Sequence, residues 1–95
     1  MLTVDYKTIL SGIKLDNPIH LRKVMNSFEA YLVVSAYNYS GRNKSKAADL
    51  LGIIRTNFHN KFAKAINDKL IVVTDEGYRL SKEAKEHLQL PESFM

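Results

Sequence analysis

Between Gly41 and Ile66 the chain reads GRNKSKAADLLGIIRTNFHNKFAKAI, and no other stretch restricts the fold so tightly. Lys44–Leu51 predicts a helix carrying Ala47-Ala48, two side chains small enough for a second backbone to pack close. Gly52 follows, where helices commonly stop in the left-handed conformation that only glycine adopts without cost. The next helix must then start within a few residues, too soon for a strand or an open loop. Two helices joined by a turn of about 3–4 residues containing Gly form the helix-turn-helix pattern. In the second helix, Phe58, Phe62, Ala65 and Ile66 make one apolar stripe expected to face the core. Thr56, His59, Asn60, Ala63, Lys64 and Asn67 lie around the opposite face, with Ala63 small enough to let the helix sit deep in a groove.

Charge concentrates on the same stretch. The chain of 95 residues carries a net +4. Residues 42–69 hold seven basic and two acidic side chains, a net +5, against seven basic and eight acidic elsewhere, a net −1. A localised basic patch is the electrostatic footprint of a phosphate-backbone partner. Hydrophobic residues at 45% and charged ones at 25% suit a folded chain rather than a disordered one. The absence of cysteine excludes disulfides, thiolate metal sites and cysteine nucleophiles. No apolar run reaches the ~18 residues of a membrane span, so no membrane partner is expected, and the start lacks the layout of a signal peptide. The expected location is cytoplasmic, with the nucleoid if DNA is the partner.

The flanking segments predict a single domain over residues 1–95, mainly α with a small C-terminal β-hairpin. A short amphipathic helix is expected over residues 5–13, capped by Asp5, with Tyr6, Ile9, Leu10 and Ile13 on one face. Asn17-Pro18 starts a long helix over residues 18–39, ended by Ser40-Gly41. Its face Leu21, Val24, Met25, Phe28, Leu32 and Ser35-Ala36 is expected to pack on the two-helix motif over residues 43–67. Tyr31, Val33, Val34 and Tyr37 widen the apolar arc beyond one core face, and two explanations stand side by side. Either a terminal segment covers the second face, or a homodimer does, placing two reading motifs on one symmetric site. A hairpin is expected over residues 70–80, turning at Asp75-Glu76-Gly77, followed by Ser81 as the cap of a helix over residues 82–89 and a frayed tail from Leu90. A hairpin directly after the second helix is the wing of a winged helix-turn-helix. From it Arg79 can reach a phosphate or the minor groove, and shielding the core is the alternative role.

Phe28 to Phe62 resembles the Fis-type helix-turn-helix family, shared by the nucleoid protein Fis and the C-terminal domains of NtrC-type enhancer-binding activators. The likeness rests on Phe28-Glu29, then Gly41-Arg42-Asn43-Lys44-Ser45-Lys46-Ala47-Ala48, then Leu51-Gly52-Ile53 and Arg55-Thr56, about a third of the chain. It implies that Asn43, Lys44 and Ser45 approach phosphates at a helix start. Arg55 matches a family arginine that reads base edges, in keeping with a guanidinium's bidentate fit to guanine O6 and N7. Asn57, His59, Asn60 and Lys61 fall where the family presents side chains to bases or backbone. Base readout is therefore expected from Arg55, Asn57, His59 and Asn60. Backbone contacts are expected from Arg42, Asn43, Lys44, Ser45, Lys46, Thr56, Lys61 and Lys64, with Arg79 added by the wing. Ile54 stands where the family has a polar capping residue; it is expected to pack against a neighbour, the alternative being contact with a thymine methyl group. The hairpin and last helix go beyond the family pattern, and no ATPase or receiver domain is expected ahead of the motif.

Catalysis is not expected, nor is a cofactor or a metal. His20, His59 and His87 fall on three elements without paired spacing, Asp75-Glu76 is a turn, and no phosphate loop, nucleophile elbow or HExxH appears. The expected function is sequence-specific binding of double-stranded DNA by a small transcriptional regulator. One alternative is a protein-interaction module, such as a phage or mobile-element factor docking on RNA polymerase or another DNA-bound complex. The other is a Fis-like DNA-bending accessory factor.

Overall fold

A computed structural model of the protein describes residues 21–91, together with Lys7 and Ser93. Apart from Lys7, the helix expected over 5–13 lies outside the described residues, as do the first residues of the long helix expected from residue 18. The described elements are α1 (Leu21–Tyr39), α2 (Lys44–Leu51), α3 (Arg55–Asn67), β1 (Ile71–Thr74), β2 (Gly77–Leu80) and α4 (Lys82–His87). The architecture is mainly helical, a helix-turn-helix followed by a two-stranded antiparallel wing and a short closing helix. No helix among the described residues is long and apolar enough to cross a membrane.

α1 is the spine, and α2, α3, β2 and α4 all pack on it. Its buried face is Ser27, Ala30, Tyr31, Val33, Val34 and Ala36. This corrects the expected face in part: Ala36 is buried and Val24, Phe28 and Leu32 pack half-buried against the core, but Leu21 and Met25 are exposed. The reason is steric. Ser27, Ala30 and Ala36 let neighbouring elements approach the α1 backbone, and Tyr31, Val33 and Val34 fill the space beside that contact. α4 takes up part of the wide apolar arc, with Ala84 and Leu88 fully buried in the common core. Of the two explanations for the arc's width, a covering C-terminal segment therefore operates within one chain.

α2 begins at Asn43, whose side chain accepts the Lys46 N–H, and ends at Gly52, with φ +69°. The Gly52 N–H bonds back to Ala48 and Asp49, and that of Ile53 reaches the Ala48 carbonyl at 3.0 Å. These bonds satisfy the last carbonyls of α2 and aim the chain into α3. Ala47 and Ala48 are buried at the close approach their size permits. On α3, Phe58, Phe62 and Ala65 are buried and Ile66 is partly so. Phe58 and Phe62 pack with Tyr37 of α1, and Tyr78 of β2 meets Tyr37 and Phe62 edge-on at 5.5 and 5.0 Å. One aromatic cluster thereby ties the wing, the second helix of the motif and the spine together.

The hairpin pairs Ile71 with Leu80, Val72 with Arg79, Val73 with Tyr78 and Thr74 with Gly77. Ile71 and Leu80 face inward, and Gly77 takes the positive φ (+124°) that closes the turn. Ser81 caps α4 by accepting the Ala84 N–H at 3.1 Å. Leu90 is no frayed tail: it is buried, and its N–H reaches the Lys85 carbonyl at 2.8 Å, drawn in by the apolar contact behind α4.

Candidate nucleic-acid interface

The candidate interface is built on α3. Arg55, Thr56, Asn57, His59, Asn60, Lys64 and Asn67 are exposed, and Ala63 is half-buried among them. Thr56, Asn60, Ala63 and Asn67 recur at i, i+4, i+7 and i+11, so they run as one stripe opposite the phenylalanines. Arg55 opens the helix at the end nearest the turn. No acidic residue occurs anywhere in α3. Its outward surface is thus amide, hydroxyl, imidazole and cation, the groups that pair with base edges and phosphate oxygens.

α2 brings its N-terminus against this surface. Lys44 Nζ lies 3.1 Å from His59 Nδ1 and 6.0 Å from the Phe62 ring centroid. A lysine ammonium only donates, so Nδ1 of His59 accepts and the ring proton sits on Nε2. That leaves His59 an N–H donor suited to a phosphate or a purine N7. Asn43 spends its side-chain oxygen on the Lys46 amide, and its carbonyl accepts from Ala47. The amides of Lys44 and Ser45 have no partner within the helix, as at any helix start, and suit an anion. Ser40 holds this entry in place, donating to the Tyr37 and Asn43 carbonyls and accepting the Asn43 N–H.

The remaining cations divide. Lys46 and Lys64 are exposed beside the motif. Lys61 turns toward the spine, its Nζ 3.1 Å from Glu29 Oε2 on α1. Arg42 donates from Nη2 to the Glu76 carbonyl at 3.0 Å, and its guanidinium lies over Gly77 so closely that a Cβ there would come within 2.8 Å of it. Arg42 itself has φ +66°, an uncommon conformation for a side-chain-bearing residue. It forms a latch between the entry to α2 and the tip of the wing, seconded by Asn38 Nδ2 donating to the Tyr78 carbonyl at 2.9 Å. Arg79 lies on β2, opposite Val72 and on the exposed side of the hairpin.

Ile54 departs from the expectation of packing. It is the N-cap of α3 in extended conformation, makes no side-chain cap, and is 66% exposed. Ile53 supplies the packing at this turn instead.

A second constellation has the composition of an acyl-transfer triad but not its access. Ser27 Oγ lies 3.0 Å from His87 Nδ1, and His87 Nε2 lies 3.9 Å from Glu83 Oε1. The Ser27 residue is 0% exposed, within a helix and under α4, so no substrate carbonyl can reach it. The contact is a clasp between α1 and α4. Neither Glu29 nor Glu76 was legible as a partner of Lys61 or Arg42, because each pairing joins residues more than thirty positions apart.

No protein-family model matches the chain, and neither a curated protein nor a solved structure does.

Proposed function

We propose that this protein binds double-stranded DNA in a sequence-specific way, as a small transcriptional regulator built on a Fis-type helix-turn-helix to which a wing has been added. One observation carries the reading: α3 exposes a continuous polar and cationic surface with no carboxylate, beside the N-terminus of α2. In this reading Arg55, Asn57, His59 and Asn60 read bases. Lys44, Lys46 and Lys64 hold the backbone with Thr56 and the amides of Lys44 and Ser45. Arg42 and Arg79 place cations on the wing side.

Selection of bound duplexes from a random library at physiological salt tests the reading. A reproducible consensus supports it. Against that consensus, Arg55→Ala is expected to lose roughly 1–3 kcal/mol and to relax preference at one base pair. A mutant that binds specific and random duplexes as the wild type does removes α3 as the reading helix.

A protein-interaction module that keeps this fold without DNA binding is the second reading. It draws on Leu21 and Met25, 67% and 61% exposed on the first turns of α1. Equal, negligible affinity for every duplex at low salt favours it.

A further inference from the structure

We infer that Ile54 is a specificity-determining residue that contacts the C5-methyl group of a pyrimidine in the major groove, next to the base pair read by Arg55. The inference rests on the DNA-binding reading and goes beyond it. Ile54 occupies the position where a Ser, Thr, Asp or Asn would satisfy an amide of the first helical turn, and it satisfies none. It is also 66% exposed, so its side chain gains little from burial in the free protein. The free chain therefore gives up a cap and wets an isoleucine at one residue. An apolar surface that covers the side chain recovers the second cost, and the uncapped amides are left to water or to an anion such as a phosphate. The N-terminal end of a recognition helix is the part that meets base edges. There the apolar feature on a base edge is the pyrimidine C5-methyl, carried by thymine and equally by 5-methylcytosine. Arg55, the next residue, brings the guanidinium that pairs with guanine. Together the two describe a reader of a methyl-bearing pyrimidine beside a guanine.

The test uses the full chain and the duplex it selects from a random library. In one series each thymine is replaced in turn by deoxyuridine, which removes only the methyl group. In a second, each cytosine becomes 5-methylcytosine. Wild-type protein is expected to lose about fourfold in affinity at one deoxyuridine position, the worth of one buried methyl group. A gain of similar size at one 5-methylcytosine position identifies that base as the source instead. Ile54→Ala is expected to bind both forms of the responsive site equally while keeping its salt dependence. If the wild type ignores every methyl group yet binds duplex in a salt-dependent manner, this inference fails and the DNA-binding reading survives. If Ile54→Ala senses the methyl group as the wild type does, the contact belongs to another residue and the inference fails. A chain that binds no duplex at all overturns both.

Discussion

Arg42 shows how one residue can be read correctly as a cation at the motif's edge while its nearest partner stays hidden. Its side chain latches the wing, and its backbone sits in a conformation that disfavours any residue with a Cβ. The two effects separate by substitution. Arg42→Ala loses the bond to the Glu76 carbonyl and keeps the backbone strain, whereas Arg42→Gly loses the same bond and relieves the strain. Arg42→Gly is therefore expected to be the more stable of the two by about 1 kcal/mol, read from urea unfolding midpoints. Gly77→Ala should cost more than either, roughly 1–3 kcal/mol. It forces a Cβ into a left-handed position (φ +124°) and displaces the guanidinium that now rests on it. Pairing Gly77→Ala with Arg42→Ala should cost less than the sum, because both break the same latch. Strict additivity would mean that the latch carries no energy.

At the scale of elements, α2 and α3 differ in how they begin, and the difference sets stability against recognition. Asn43 caps α2, while Ile54 leaves α3 uncapped. Ile54→Ser introduces the missing acceptor at a position already in extended backbone. It should stabilise the fold by about 0.5–2 kcal/mol. The same change removes the apolar contact inferred above, so thermal stability rises while discrimination between thymine and deoxyuridine falls. A variant that melts lower than the wild type would show that Ile54 packs after all. The boundaries of these elements were legible because local chemistry sets them: Gly52 ends α2, Ser81 starts α4, and Gly77 closes the turn. The buried face of α1 was not. Its apolar residues surround most of the helix, so periodicity offered Leu21, Val24, Met25 and Phe28 as readily as the face anchored by Ser27, Ala30 and Val34. The choice between them is made by elements distant in sequence, the aromatic cluster of α3 and β2 around Tyr37 and the arrival of α4 through Ser27 and His87, sixty residues apart. The exposure of Ile54 was equally beyond a local reading, since Ile53 and Ile54 are chemically identical and only the assembled core selects Ile53 as the one that packs.

For the molecule as a whole, the distribution of cations sets how binding should respond to salt. Each phosphate neutralised on B-DNA steepens the fall of log K with log salt by about 0.9. Lys44, Lys46 and Lys64 stand at or beside the α3 surface, and Arg42 reaches the wing side of it. Lys61, next to Lys64 along one flank of α3, is occupied by Glu29, an ion pair exposed enough to contribute little to stability. These four contacts per chain give an expected slope of about −3.6, or about −4.5 with Arg79 of the wing, and a symmetric pair of chains on one site gives about twice that. The slope thus reports stoichiometry on DNA as well as contact number, once sedimentation fixes the state of the free protein. Single substitutions then separate the lysines. Lys64→Gln should flatten the slope by about 0.9 per chain and weaken binding to all sequences alike. Lys61→Gln should leave it unchanged, because its charge faces a carboxylate rather than the groove. If Lys61→Gln flattens the slope as much as Lys64→Gln, the ion pair with Glu29 opens on binding and the interface extends around α3 toward the spine.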